Sequence, residues 1–293
     1  MNHPPPSSRG RWREAPEGDV PLRLATLGPS PVRTGEDKIE VKVSMTDDLS
    51  IDVNGESLVL DASGAAWWPQ RETLVFADIH FEKGSSYARR GALLPPYDTR
   101  ATLKRIAEAV GRRRPRRVVA LGDSFHDRDA AERLDGEERA TLSALVSSCD
   151  WVWITGNHDP APPAWLGGQI VPEIRLGGLV FRHEPSVFFQ PGEIAGHLHP
   201  CTTVTRRGRS LRRRCFVSDG RRMVLPAFGA YAGGLDLWDD AIGALFEGAF
   251  GAFVLGTARV YAVAGRGVFH SMRRKTSEDS QPSSIATSTV ESP

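Results

Sequence analysis

"TLVFADIH", residues 73–80, runs through four successive apolar residues, Leu74 to Ala77, and ends on Asp78 and His80. An apolar run that short and unbroken reads as a strand buried on both faces, because a strand with one wet face alternates. The same form recurs in "RVVALGDS" (117–124), "DWVWITGNHD" (150–159), "LVFRHEP" (179–185) and "GEIAGHLHP" (192–200). Between the first three lie helical spacings. Asp98 or Thr99 is expected to cap a helix running to about Arg113, with Leu103, Ile106, Ala107 and Val110 on one face. Asp135 and Glu138 have the spacing of a capping box for "GEERATLSALVSS". Upstream, "LSIDV" and "SLVLDA" flank "NGE" as a hairpin, and residues 201–217 read as a second hairpin turning near Gly208. Buried strands joined by helices make an α/β fold.

The rest of the chain bounds this reading. Residues 1–44 are rich in Pro, Gly, Ser and charge, and are expected to be disordered or an over-extended start ahead of Met45. Residues 45–271 form the expected domain, and 272–293 an expected disordered tail. No apolar run approaches the roughly 18 residues of a membrane helix. The N-terminus lacks the apolar stretch of a secretory signal. The three cysteines, Cys149, Cys201 and Cys215, form no disulfide framework. A cytoplasmic protein with no membrane partner is expected. The formal charge of +1 conceals an arginine bias, since only five of the 37 basic residues are lysines. That excess follows coding composition, so only clustering carries weight: residues 201–222 hold eight arginines against one aspartate.

The polar ends of the apolar runs collect unusual chemistry. They supply Asp78 and His80, then Asp123, His126 and Asp127, then Asn157, His158 and Asp159, then His183, then His197 and His199. Six of the eight histidines fall in these five places. In open α/β sheets, ligands bind beyond the carboxyl ends of strands. One buried histidine is more often a satisfied core residue than a ligand. Six with their carboxylates, all at strand ends, point instead to a metal site. Imidazole, carboxylate and one carboxamide without cysteine disfavour structural zinc and suit an open catalytic centre of Mn, Fe or Zn. The donors exceed the needs of one ion and suffice for two, bridged by a carboxylate.

The ordered series "DIH", "GDSFHD", "GNHD", "RHEP", "GHLH" resembles the calcineurin-like metallophosphoesterase superfamily. The resemblance implies an αββα sandwich with mixed sheets and two divalent metal ions, manganese first, with iron or zinc as alternatives. It implies that Asp78, His80, Asp123 and His199 hold the first ion, that Asp123 bridges, and that Asn157, His183 and His197 hold the second. It sets His158 against the scissile phosphate, so that His158 and Asp123 are the expected catalytic residues. A narrower resemblance is carried by "EKGSSYARRG", "LLPPYDTRATL", "RHEP", "RRRCF" and "LPAFGAYAGGLD". These are similar to bacterial ligase-associated DNA damage response endonucleases. That family implies DNA as substrate, and an ATP-dependent DNA ligase, a helicase and an exonuclease as partners in repair.

Lesser candidates surround the centre. Lys83, Arg89, Arg90, His126 and Asp127 are candidates to meet substrate, against solvated-loop or helix-capping roles. Asp159 either orients its neighbours or merely precedes a turn. The arginines of 206–214 form either a phosphate-binding hairpin or an exposed one. "FGAYAGG" (228–234) is either a lip at the site or a turn needing positive φ. Cys201 and Cys215 are expected as free thiols, and Trp67 and Trp68 as core. The leading function is a metal-dependent DNA phosphodiesterase or endonuclease. The alternatives are a phosphoesterase for a small nucleotide or other small phosphodiester, and an inactive scaffold, which the intact ligand series disfavours.

Overall fold

A computed structural model describes residues 41–42, 49–206 and 209–263. The chain opens with a two-residue strand, β1 (Val41–Lys42). The next seven strands form one sheet in sequence order: β2 (Leu49–Val53), β3 (Glu56–Leu60), β4 (Ala66–Trp68), β5 (Thr73–Phe76), β6 (Arg117–Leu121), β7 (Asp150–Ile154) and β8 (Gln169–Val171). From β2 to β5 the pairing is antiparallel, and from β5 to β8 parallel. Helices α1 (Lys83–Arg89) and α2 (Asp98–Arg113) connect β5 to β6, and α3 (Ala130–Arg133) and α4 (Gly136–Ser147) connect β6 to β7. The second sheet uses β9 (Glu173–Leu176), β10 (Leu179–Arg182), β11 (Glu193–Ala195), β12 (Cys201–Arg206), β13 (Arg209–Ser218), β14 (Met223–Val224), β15 (Gly251–Leu255) and β16 (Val260–Val263). Its spatial order is β1-β16-β15-β13-β14-β11-β10-β9, with β12 on the outer half of β13. Here β10–β11 and β11–β14 are parallel.

The unbroken apolar runs have the cause read from them. Alternate side chains of β5, β6 and β7 point to opposite faces. Val75, Val119 and Val152 meet Phe181, Ile194 and Phe216 between the sheets. Leu74, Phe76, Val118 and Trp153 face outward onto Leu103 and Ile106 of α2 and Leu142 and Val146 of α4. Both faces are buried, so neither carries a polar alternation. On the far side, α5 (Asp240–Gly243) and its flanks lay Leu237, Ile242 and Phe246 on Cys215, Val217 and Val254. This is the expected layered α/β sandwich of two mixed sheets, with a second outer layer that is mostly loop.

Local readings meet mixed outcomes. The first hairpin turns through Asn54 and Gly55, both at positive φ, as a tight turn between twisted strands requires. The Asp135–Glu138 capping box is complete, each side chain accepting from the other's backbone N–H. At α2 the cap residue is Tyr97, not Asp98 or Thr99. The Asp98 carboxylate instead accepts from the Gly84 N–H, and Thr99 Oγ1 accepts from the Glu82 N–H, tying α1 to α2. Ala109, rather than Ala107, joins Leu103 and Ile106 in the buried stripe. Trp68 is buried in the core, while Trp67 is half-buried against it. The second hairpin forms, with its turn at 207–208 outside the described residues. Val41–Lys42 pair with β16, so the sheet takes in two residues placed ahead of the expected domain start. The expected disorder of the remaining N-terminal residues and of 272–293 lies outside the described residues.

Candidate metal centre

Because β5, β6 and β7 are parallel, their carboxyl ends share one edge, and β10 and β11 end at the same place in the other sheet. The two edges touch. Gly122, just past β6, lies so close beneath the His183 ring that any side chain there would overlap it. The polar loop residues therefore converge into two clusters. Asp78, His80 and His199 form one, and Asp123, His183 and His197 the other, with one ligand atom from each lying within 4.8 Å of the rest. In the first, His199 Nε2 is 3.3 Å from Asp78 Oδ1 and 3.3 Å from His80 Nε2. In the second, His183 Nε2 is 3.4 Å from Asp123 Oδ2, 3.1 Å from His197 Nδ1 and 2.9 Å from Asn157 Oδ1.

The backbone is bent to achieve this. Asp78, His80, Asp123, His197 and His199 all have φ between 46° and 68°. This left-handed region is costly for residues with a Cβ and is tolerated where surrounding structure enforces it. The enforcement is visible. Both Asp78 oxygens accept from the His197 N–H, and Asp123 Oδ1 accepts from the His158 N–H at 2.9 Å. The His80 N–H donates to the Asp123 carbonyl.

Ring protonation is also set by partners. His183 Nδ1 donates to the Leu121 carbonyl at 2.9 Å and His199 Nδ1 to the Gly233 carbonyl at 3.0 Å. A carbonyl only accepts, so each ring carries a proton on Nδ1 and turns Nε2 into its cluster. Burial, then the nearby His199 and Lys83, push His80 well below the usual imidazole range, and burial with His183 lowers His197. Burial opposes charge on His183, yet Asp123 and Asp78 outweigh it and hold its pKa up at about 9. Burial would raise Asp123, but His183 and His158 outweigh it and hold it down. Two buried carboxylates facing imidazole nitrogens form a donor set that suits a divalent cation in each cluster once His183 gives up its Nε2 proton.

A calcineurin-like phosphoesterase description matches residues 72–240, which is more than half the chain and includes every candidate ligand. The chain belongs to the calcineurin-like phosphoesterases. Among solved structures it is similar to nuclease MPE of Pseudomonas putida, with 31% identity and a TM-score of 0.57. The alignment covers 73% of this chain and 99% of that one. No curated protein matches it. This protein is a metal-dependent phosphoester hydrolase, and its family works with divalent metals. Among the described residues, no helix is long and apolar enough to cross a membrane.

Around the phosphoesterase centre the lesser candidates separate. His158 sits on the solvent side, its side chain 33% exposed and its Nε2 3.9 Å from Asp123 Oδ2. Its Nδ1 donates to the His126 carbonyl at 2.7 Å, and its ring stacks on the buried His126 ring at 5.2 Å. Lys83 is buried at the start of α1, with its ammonium 5.9 Å from the Tyr87 ring. Arg89 and Arg90 are exposed, Arg89 lying 3.8 Å from Asp129. Asp127 makes two 2.8 Å bonds to Arg133; burial opposes its charge, but Arg133 and Ser86 hold its pKa down to about 2.

Asp159 is not a simple turn residue. Its carboxylate accepts from the N–H groups of Ser124, Phe125 and Gly156, so it ties the loop after β6 to the loop after β7. Burial and the Asp123 charge raise it to about 7. Sequence reading also missed the partners of the arginine hairpin. Arg214 donates to the Ala227 and Ala230 carbonyls, and Arg212 to the Gly234 carbonyl. These two hold the 227–234 segment, while Arg209 and Arg213 are exposed. The glycines of that segment serve close approach rather than positive φ, since Gly234 lies against the His199 carbonyl. Cys201 and Cys215 are buried free thiols, and Cys201 pairs across the hairpin with Arg214.

Proposed function

We propose that this phosphoesterase cleaves the phosphodiester bonds of DNA and serves in DNA repair, beside an ATP-dependent DNA ligase, a helicase and an exonuclease. The observation that carries the reading is the 31% identity to a bacterial nuclease across 99% of that nuclease's length. The surroundings of the centre agree with a long substrate. The chain inserted between the metal motifs is spent on α1 to α4, and α2 and α4 lie on the outer face of the first sheet, away from the ligands. The β12–β13 hairpin adds exposed arginines, and phosphate contacts dominate nucleic-acid affinity.

Asp78, His80, Asp123 and His199 would hold one cation, and Asn157, His183 and His197 the other, with Asp123 available to both. Manganese is the first candidate, iron or zinc the alternatives. When bound, the pair of cations supplies Lewis acidity toward the phosphate oxygens and lowers the pKa of water at the site. The protein's own groups do the rest. His158 has its Nδ1 proton committed to the His126 carbonyl. Any proton it gives to the leaving oxygen therefore passes through Nε2. General acid catalysis of this kind contributes roughly 10²–10⁴-fold. Asp159 acts through the two loops it joins, keeping Asp123 and His158 in register.

The test is Mn²⁺-dependent hydrolysis of end-labelled single-stranded, nicked and duplex DNA beside a small diester, with His158→Ala as blank. DNA cleavage that vanishes in the variant is expected. Turnover of the small diester with all DNA left intact would overturn the nuclease reading.

A further inference from the structure

The turn between α1 and α2 exposes apolar surface. Leu93 is 87% and Tyr97 66% exposed, on either side of Pro95 and Pro96. Leaving two large apolar side chains in water forfeits burial energy. Two prolines, each with φ fixed, keep the turn stiff. This turn is wired to the metal centre. The Tyr231 hydroxyl donates to the Pro95 carbonyl at 2.8 Å. Two residues on, the Gly233 carbonyl holds the His199 ring. The same 227–234 segment is held by Arg212 of the hairpin that exposes Arg213. One segment at the centre is thus linked to an exposed apolar, aromatic turn through Tyr231 and to a cationic hairpin through Arg212 and Arg214.

We infer that the Leu93–Tyr97 turn with Tyr231 is a ledge that contacts the nucleobases flanking the scissile phosphate, while the phosphates run toward the β12–β13 arginines. The inference rests on the nuclease reading. The linked turn and hairpin select this occupant, because a nucleic-acid strand offers π-faces along one edge and negative charge along the other. A stiff ledge also contacts bases at little ordering cost.

The experiment compares wild type, Leu93→Ala/Tyr97→Ala and Tyr97→Trp on two DNA oligonucleotides, one ordinary and one abasic at the positions beside the cleavage site. Both altered positions are exposed and lie outside the metal centre. For the double variant, KM on the ordinary oligonucleotide is expected to rise about tenfold with kcat little changed. Tyr97→Trp is expected to keep the wild-type KM. On the abasic oligonucleotide, wild type and double variant are expected to match. Equal losses on both oligonucleotides, or none on either, would overturn the ledge while leaving the nuclease reading intact. Unchanged DNA kinetics with a fall from dimer to monomer mass would assign the surface to a second copy of this chain. Wild-type turnover of a small diester with no DNA cleavage would remove the nuclease reading and the ledge together.

Discussion

Asp123 shows how much one residue of this centre does. Its carboxylate faces His183, accepts the His158 N–H and lies among the second cluster of ligands. Its backbone is left-handed, at φ 46°. Asparagine tolerates that conformation and keeps an oxygen for the His158 N–H, but loses the charge. Asp123→Asn is therefore expected to lower turnover roughly 100-fold or more while leaving the melting temperature nearly unchanged. Turnover assays and thermal melting of the same sample check both halves; near-wild-type turnover would exclude a role at the reacting centre. The identities of these residues were legible in the sequence because each ends an apolar run. Their supports were not. The Leu121 and Gly233 carbonyls that fix ring tautomers are backbone atoms, and the reach of Asp159 to Ser124 spans 35 residues. Neither leaves a local pattern.

At the scale of elements, α2 is fastened to β3 through Asp61, which takes both Arg112 and Arg113. Burial works against the Asp61 charge, but the Ser63 N–H and hydroxyl and then Arg112 outweigh it and lower its pKa. A carboxylate with a lowered folded-state pKa stabilises above its unfolded value, and that stability is lost as pH falls through the folded value. Asp61→Asn is expected to lower the melting temperature by a constant amount from pH 8 to 5, and the gap from wild type should close below about pH 4. A gap that stays constant into acid would deny the ion pair its part. The hairpin gives a second element-scale expectation. Arg209 and Arg213 are exposed, whereas Arg212 and Arg214 hold backbone carbonyls. Arg209→Ala/Arg213→Ala is expected to flatten the salt dependence of DNA binding by about 2 in log–log slope, with binding measured between 50 and 200 mM salt. The alternation of roles along β13 was hidden in the sequence, where four of these arginines look alike.

For the whole molecule, the layers around β5, β6 and β7 were readable because double-sided burial removes polar alternation. The thin outer layer over the second sheet and the β1–β16 pairing were not, since short, long-range elements carry no period. The centre lies where the two sheets abut, so its candidate ligands come from both halves of the sandwich. Metal binding at such a seam stabilises the fold as a unit. Mn²⁺ at about 100 times its dissociation constant is expected to add roughly 2.7 kcal/mol, or about 5–10 °C in melting temperature. Asp78→Ala should abolish most of that shift, and calorimetry with and without chelator reads it directly.

The left-handed backbone at His80, His197 and His199 also has a bearing on laboratory evolution. Glycine or asparagine would relax these positions; in the metal-free fold the buried His80 Nδ1 has no hydrogen-bond partner, whereas the His199 ring still bonds the Gly233 carbonyl. A library screened for heat resistance in chelator should therefore accumulate Gly and Asn at 80 and 197 before 199. Its most durable clones would be its least active, whereas the same library heated with Mn²⁺ would retain the histidines.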